Sequence, residues 1–272
     1  MAITRQVGPY IVTALLDGAG PAFLARAEAF PDASAEQWTA ADALDPAAVT
    51  GAGEWWLPFR SYAVRHPDDS VTLVDAGIGP AGSLAASYAP VPGRLPDELA
   101  AAGIDPSSVT AIVLTHLHGD HVGWAVPADS PFTAARVIAP SADVALYTAN
   151  RAQAGQYDRL IAPLRADGRL QEVEGGLVLA AGLRIVPTPG HTPGHQSVWV
   201  YQHTESLLIT GDAFVHALQF VDPGLAYAND TDPAQAGVTR RALLDDMRSR
   251  GSTAAVSHLG TEFRSPPPGL RD

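Results

Sequence analysis

An α/β fold is predicted by three features of this sequence. Short apolar runs of strand length recur along the chain, segments with helical periodicity lie between them, and Gly and Pro (25 and 23 residues) punctuate the joins. The expected strands are Val7–Val12, Phe59–Val64, Val71–Val74, Ala111–Leu114, Arg136–Ala139, Leu183–Val186, Ser197–Tyr201, Leu207–Thr210 and Ala254–Val256. The run ending at Tyr201 and the one starting at Leu207 read as a hairpin across Gln202–Ser206. Helices are expected at Pro96–Ala102, Ser141–Asn150, Asp158–Ala166 and Asp232–Arg250. In the last, Asp232 suits the cap, Pro233 the first turn and Gly251 the stop, with Ala236, Leu243, Leu244 and Met247 forming a buried stripe. The Ala-rich segment 15–56 fits either kind of element. No linker or internal repeat divides the chain, so one domain over 1–272 is expected.

Composition narrows the function. The formal charge is −12, and all 17 basic residues are Arg. Such a surface disfavours nucleic acid, which is held by clustered cations. Polar stretches such as Arg60–Arg65 and Arg240-Arg241 read as solvated faces. With no Cys, the chain has no disulfide, no thiolate ligand and no Cys nucleophile. It also lacks a Gly-x-Ser-x-Gly nucleophile elbow. The first residues, Met1 to Gln6, do not read as a signal peptide, and no apolar run reaches membrane-spanning length. A soluble cytoplasmic protein with a small-molecule substrate is expected, with no membrane partner; a homodimer stays open.

One run points to chemistry: Thr115-His116-Leu117-His118-Gly119-Asp120-His121, preceded by the apolar Ala111-Ile112-Val113-Leu114. Imidazole and carboxylate are the ligands that borderline divalent metals prefer. Spaced this closely, the four groups cannot share one face of a helix or a strand. They fit a tight loop leaving a buried strand, fanned around one or two centres. Three of the chain's nine His within six positions, beside an Asp, make a chance surface cluster a poor explanation.

This run resembles the signature of the metallo-β-lactamase superfamily, the binuclear metallohydrolases. The family pattern continues with a His in a Pro-Gly-His context, an Asp after a strand, and a last His near the C-terminus. The chain supplies Thr188-Pro189-Gly190-His191-Thr192-Pro193-Gly194-His195, then Leu207-Leu208-Ile209-Thr210-Gly211-Asp212, then Ala254-Ala255-Val256-Ser257-His258. The resemblance implies an αββα sandwich, two mixed β-sheets flanked by helices, with metals at one edge. It assigns His116, His118 and His191 to a first ion, Asp120, His121 and His258 to a second, and Asp212 to a bridge between them. It gives Asp75 and His195 supporting roles behind the ligands. Two divalent ions are implied; zinc suits the donors, and manganese, iron or cobalt would fit as well. A water held between the ions would lose a proton near neutral pH and attack a carbonyl or phosphoryl group, with Asp120 accepting and relaying a proton.

Gly211–Pro223, Asp230–Pro233 and Thr239–Arg241 resemble the branch containing methyl parathion hydrolase and broad-specificity lactonases and esterases. Quorum-quenching lactonases often carry a Tyr shortly after the bridging Asp, where this chain has Phe214 and Val215; His216 and Tyr227 are the polar substitutes at hand. Trp124, three residues past the ligand loop, is expected to wall the substrate pocket with Phe214 and His216; Trp55, Trp56, Phe59 and Phe220 are further aromatic candidates. An aromatic wall favours an ester or lactone with an apolar part. Phosphotriester hydrolysis and a non-hydrolytic metal-holding role are the alternatives.

Overall fold

A computed structural model describes residues 2–126, 130–150 and 155–267. Among them the strands are β1 (Ile3–Val7), β2 (Tyr10–Pro21), β3 (Trp56–Arg65), β4 (Val71–Val74), β5 (Val109–Val113), β6 (Arg136–Pro140), β7 (Leu170–Val173), β8 (Leu177–Ala180), β9 (Leu183–Pro187), β10 (Gln196–Gln202), β11 (Glu205–Ile209), β12 (Thr253–Ala255) and β13 (Phe263–Arg264). They form a seven-stranded sheet in the order β1 to β7 and a six-stranded sheet in the order β13-β12-β11-β10-β9-β8. Both sheets are mixed. β4 through β7 pair in parallel, β11 and β12 pair in parallel, and the other pairs are antiparallel.

The period-2 alternation of side chains makes each sheet two-sided. In β5, Ala111 and Val113 join the core between the sheets, where Tyr62 and Val64 meet Ile185, Val198 and Ile209, while Ile112 turns outward. Leu95, Leu99, Val144, Leu160 and Leu164 cover that outer face from helices. On β10, Val198 and Val200 face inward, and Trp199 faces the helix Pro233–Arg250 with Leu243, Leu244 and Met247. The result is a helix–sheet–sheet–helix sandwich, as the resemblance implies.

The helix Pro233–Arg250 starts where Asp232 accepts a hydrogen bond from the Gln235 amide at 3.0 Å. Such a cap is worth about 1 kcal/mol. The helix ends at Gly251, whose φ of 63° lies in the left-handed region that glycine adopts without penalty. The expected helices at Asp158–Ala166 and Ser141–Asn150 are present, the first opening with a π-helical turn at Tyr157–Ile161.

Three readings are revised or resolved. Val7–Val12 is not one strand: Val7 pairs with Tyr10 across a two-residue turn, Gly8-Pro9, so the apolar alternation belongs to two strands of a hairpin. The ambiguous segment 15–56 holds the rest of β2, short helices at Arg26–Ala29 and Pro46–Ala48, and a helix at Ala35–Leu44 capped by Ser34. The arginines read as solvated are buried where they matter: Arg60 is 7% exposed and Arg240 0%. Arg60 donates to the carbonyls of Leu259 and Gly260. None of the described helices is long and apolar enough to cross a membrane.

Candidate metal centre

The chemistry gathers at one edge of the sandwich because parallel pairing aligns strand ends. Asp75 follows β4, residues 115–121 follow β5, Asp212 follows β11 and His258 follows β12. The turn from β9 to β10 delivers His191 to the same edge.

Two groups of donors result. His116, His118, His191 and Asp212 each offer a ligand atom, all within 4.8 Å of one another, and Asp120, His121 and His258 form a second group under the same limit. Asp212 faces both. Its Oδ2 lies 3.5 Å from His191 Nε2 and 3.9 Å from His116 Nε2. Its Oδ1 lies 3.1 Å from His258 Nε2 and 3.3 Å from His121 Nε2.

The outer nitrogens of these rings are already engaged, which fixes their tautomers. His121 Nδ1 donates to Asp75 Oδ2 at 2.8 Å, His191 Nδ1 to Asp230 Oδ1 at 3.1 Å, and His258 Nδ1 to the Pro58 carbonyl at 2.8 Å. The Thr115 hydroxyl gives its proton to Asp75 Oδ2 at 3.0 Å, so it accepts from His116 Nδ1 at 3.0 Å. In its neutral form each of these rings turns an unprotonated Nε2 inward. His118 contributes Nδ1, 2.9 Å from His116 Nε2 and 3.1 Å from His191 Nε2. Lone pairs converging without a proton donor suit a cation. Asp212 Oδ1, fully buried and without a hydrogen-bond partner, makes the same point. The residues therefore fit divalent metal.

The electrostatics agree. Burial and the neighbouring His121 and His118 hold His116 well below its ordinary value. Burial, then His191, pushes His118 down to about 4. Burial also disfavours charge on His121, but the carboxylates of Asp212, Asp120 and Asp75 outweigh it and hold that ring well above its usual range. With three carboxylates this close, the second group demands positive charge.

Asp75 and His195 lie behind the donor side chains. Asp75 sits at φ 61°, a left-handed conformation that Asp tolerates, and accepts the Thr115 amide at 2.7 Å as well as His121. His195 accepts the Asp212 amide on Nε2 at 3.0 Å and donates Nδ1 to the Thr188 carbonyl at 3.0 Å. Burial pushes it down to about 3, so it stays neutral. Gly211 at φ 51° is required between them, because a Cβ there would lie 2.7 Å from Thr115 Cβ and 2.9 Å from His195 Nε2.

A cleft of about 520 Å³ opens over the donors, lined by Phe23, Trp55, Leu57, Leu84, Tyr88 and Tyr227, among others. The expected pocket residues Trp124, Phe214 and His216 do not line it. Trp124 is drawn into the core, where its Nε1 donates to Asp17 Oδ1 at 3.1 Å. Phe214 stacks on Phe220 beneath the floor, at 4.4 Å between ring centroids. His216 is enclosed by Phe30, Trp38 and Trp55. Two other expected residues do reach the cleft, Trp55 as an aromatic wall and Tyr227, which is stacked on His191 with 6.0 Å between centroids.

Three residues to which the sequence assigned no role at the site contact its donors or hold those that do. The Tyr88 hydroxyl donates to Asp120 Oδ1 at 2.9 Å; burial and the Asp120 charge push this phenol up, so the proton stays. Asp230 holds His191, and Arg240 holds Asp230 at 3.1 Å. The Asp230-Thr231-Asp232-Pro233 stretch carried a signal: Thr231 and Asp232 donate their amides to the His191 and Gly190 carbonyls at 3.0 and 2.9 Å. For Tyr88 the sequence offers none.

The fold and the donor set define a metal-site member of one family. The chain belongs to the metallo-β-lactamase superfamily, whose sequence profile matches residues 56–258. It is 28% identical over 130 residues to the N-acyl homoserine lactonase AiiA of Bacillus thuringiensis subsp. kurstaki, a match covering 47% of this chain and 48% of AiiA. The chain thus spans about half the length of such curated relatives. The crystal structure of the hydrolase AbOPH of the β-lactamase superfamily superposes with a TM-score of 0.77 at 25% identity, covering 100% of this chain and 98% of that one. The dizinc quorum-quenching lactonase AidC shares the fold at 18% identity, with a TM-score of 0.76 over 100% of this chain and 98% of its own.

Proposed function

We propose that this chain is a binuclear metal-dependent hydrolase of neutral carboxylic esters or lactones bearing an apolar part. One observation carries the reading: two adjacent donor groups form the floor of an aromatic cleft whose described lining contains no Lys or Arg. Apart from the ions themselves, a substrate with a free carboxylate or a phosphodiester charge would find no cationic side chain there to pair with it. The names of AiiA and AidC, both lactonases, point the same way.

His116, His118 and His191 would hold the first ion and Asp120, His121 and His258 the second, with Asp212, which faces both groups, shared between them. When bound, the ions supply Lewis acidity toward the carbonyl oxygen and lower the pKa of a shared water toward neutrality. The remaining work belongs to the chain. Asp75, Asp230 and the Pro58 carbonyl hold the imidazoles in their ligand tautomers. Asp120, at the cleft floor, relays the proton from water to the leaving alkoxide. The Tyr227 hydroxyl accepts from Asn229 at 3.1 Å and keeps its own proton for the substrate carbonyl. Trp55, Leu57 and Phe23 exclude water around the apolar part.

A substrate panel on metal-reconstituted protein tests the proposal: lactones, aryl esters, phosphotriesters and β-lactams. Ester or lactone turnover should dominate, with solvent oxygen-18 entering the product acid in a single turnover. Dominant phosphotriester turnover would reassign the substrate. No hydrolysis of any member by protein loaded with two ions would remove the hydrolase reading.

A further inference from the structure

We infer that Tyr88 is a positioning residue of the second metal site, locking Asp120 so that only Oδ2 faces the ion. The inference rests on the binuclear reading above. Tyr88 reaches the site from the loop between β4 and the helix Leu95–Ala101, far in sequence from every ligand. Its hydroxyl makes a two-way clamp on one residue. It accepts the Asp120 amide at 3.1 Å and donates to Asp120 Oδ1 at 2.9 Å. The other carboxylate oxygen, Oδ2, lies 3.5 Å from both His121 Nε2 and His258 Nε2. One oxygen is therefore occupied by the phenol and the other turned to the donor group. A carboxylate free to rotate, or to present both oxygens, would bind less selectively.

Two further features exist to bring that hydroxyl in. Gly119 leaves the space: a Cβ there would lie 2.8 Å from the Tyr88 hydroxyl and 2.8 Å from the Leu84 backbone. Asp17, at the bulge in β2, ties down both ends of the loop. It accepts the Ile78 amide at 2.6 Å and the Gly79 amide at 3.2 Å at one end, and the Leu95 amide at 2.5 Å at the other. The Tyr88 ring meets Phe23 edge-on at 5.4 Å, so ring packing survives loss of the hydroxyl alone.

Tyr88→Phe separates the clamp from the packing. Calorimetric binding of zinc to the metal-free protein, with cobalt absorption as a second readout, is measured for four proteins: the parent, Tyr88→Phe, His258→Ala and the double variant. In the parent, two ions bind. In Tyr88→Phe the second ion should bind about 10–100-fold more weakly, with the first unchanged and the cobalt spectrum of the second site altered. In the His258→Ala background, Tyr88→Phe should leave the remaining ion unaffected. Unchanged affinity and spectrum for both ions in Tyr88→Phe would overturn the role of Tyr88 while leaving the binuclear reading intact. A single ion in the parent would overturn both.

Discussion

Arg240 Nη1 lies 3.1 Å from Asp230 Oδ2, and both side chains are sealed from solvent; the other Asp230 oxygen holds His191 Nδ1 at 3.1 Å. A fully buried charge is thus committed to orienting one imidazole of the first donor group. Arg240 also donates to the Pro223 and Leu225 carbonyls, both at 2.9 Å, so it fastens the loop that ends at Asp230. Removing one partner of a buried ion pair strands the other and typically costs about 3–5 kcal/mol. Arg240→Ala should lower unfolding stability by about that amount in a denaturant titration. Asp230→Asn is milder for the fold but should weaken retention of one ion by about 10–100-fold. Unchanged stability in the first variant and unchanged metal binding in the second would sever this chain of contacts from the site.

Asp212→Ala should damage activity and metal binding far more than His195→Ala. The first removes a carboxylate whose two oxygens face both donor groups; the second removes a ring that hydrogen-bonds the Asp212 amide and Thr188 and packs behind His116 and His191. His195→Ala is expected to cost about 10–100-fold in rate. Elemental analysis should show the Asp212 variant depleted of metal. Equal loss of metal and rate in the two would mean that the bridge is misassigned.

Tyr227→Phe removes one hydroxyl from the cleft and leaves the stack on His191. If Tyr227 donates to the carbonyl oxygen as charge builds there, kcat should fall about 10²-fold with little change in KM. A change confined to KM would limit Tyr227 to ground-state binding.

The gathering of the donor side chains was legible because they lie at strand ends. Four donors crowd one turn after β5, and Asp212 and His258 each follow a short apolar strand. The contact of Tyr88 was not legible, and that of Asp230 was marked only by its stretch, since each touches a donor only after loops distant in sequence have folded together. Phe214 shows a different limit. Two residues past Asp212 it is near the site in sequence, but the chain reverses at the turn Gly211–Ala213 and the ring descends to Phe220. The helix Pro233–Arg250 was read correctly from its cap, its Pro and its terminal Gly, whereas the Val7–Val12 run concealed a hairpin because the turn holds only two residues.

That position of Phe214 has a measurable consequence. Phe214→Ala should destabilise the fold by about 3–5 kcal/mol, the usual cost of emptying a buried aromatic site. KM for an apolar ester should be little changed at temperatures where the variant remains folded. A large rise in KM with stability intact would return Phe214 to the substrate wall.

His216 gives the protein a defined weakness to acid. The ring is 1% exposed, with the Phe30, Trp38 and Trp55 centroids at 5.4, 5.5 and 5.3 Å. Its Nδ1 accepts the Leu218 amide at 3.1 Å, so a proton there would oppose an N–H already in place. Burial, with a smaller contribution from Arg26, pushes its pKa down to about 3, against roughly 6.5 in the unfolded chain. Above the unfolded value both states are neutral and His216 adds nothing to the pH dependence. As pH falls below it, the unfolded chain binds a proton that the folded protein refuses, so stability drops by up to about 1.4 kcal/mol per pH unit until the folded pKa is reached. His216→Phe suits the same aromatic surroundings and removes this proton. Its loss of the Leu218 contact lowers stability by a fixed amount at every pH. Urea unfolding of parent and variant from pH 7.5 to 4.5 should therefore show the difference moving steadily in the variant's favour below about pH 6. A difference that stays constant across that window would mean that His216 is protonated, or reached by water, in the folded protein.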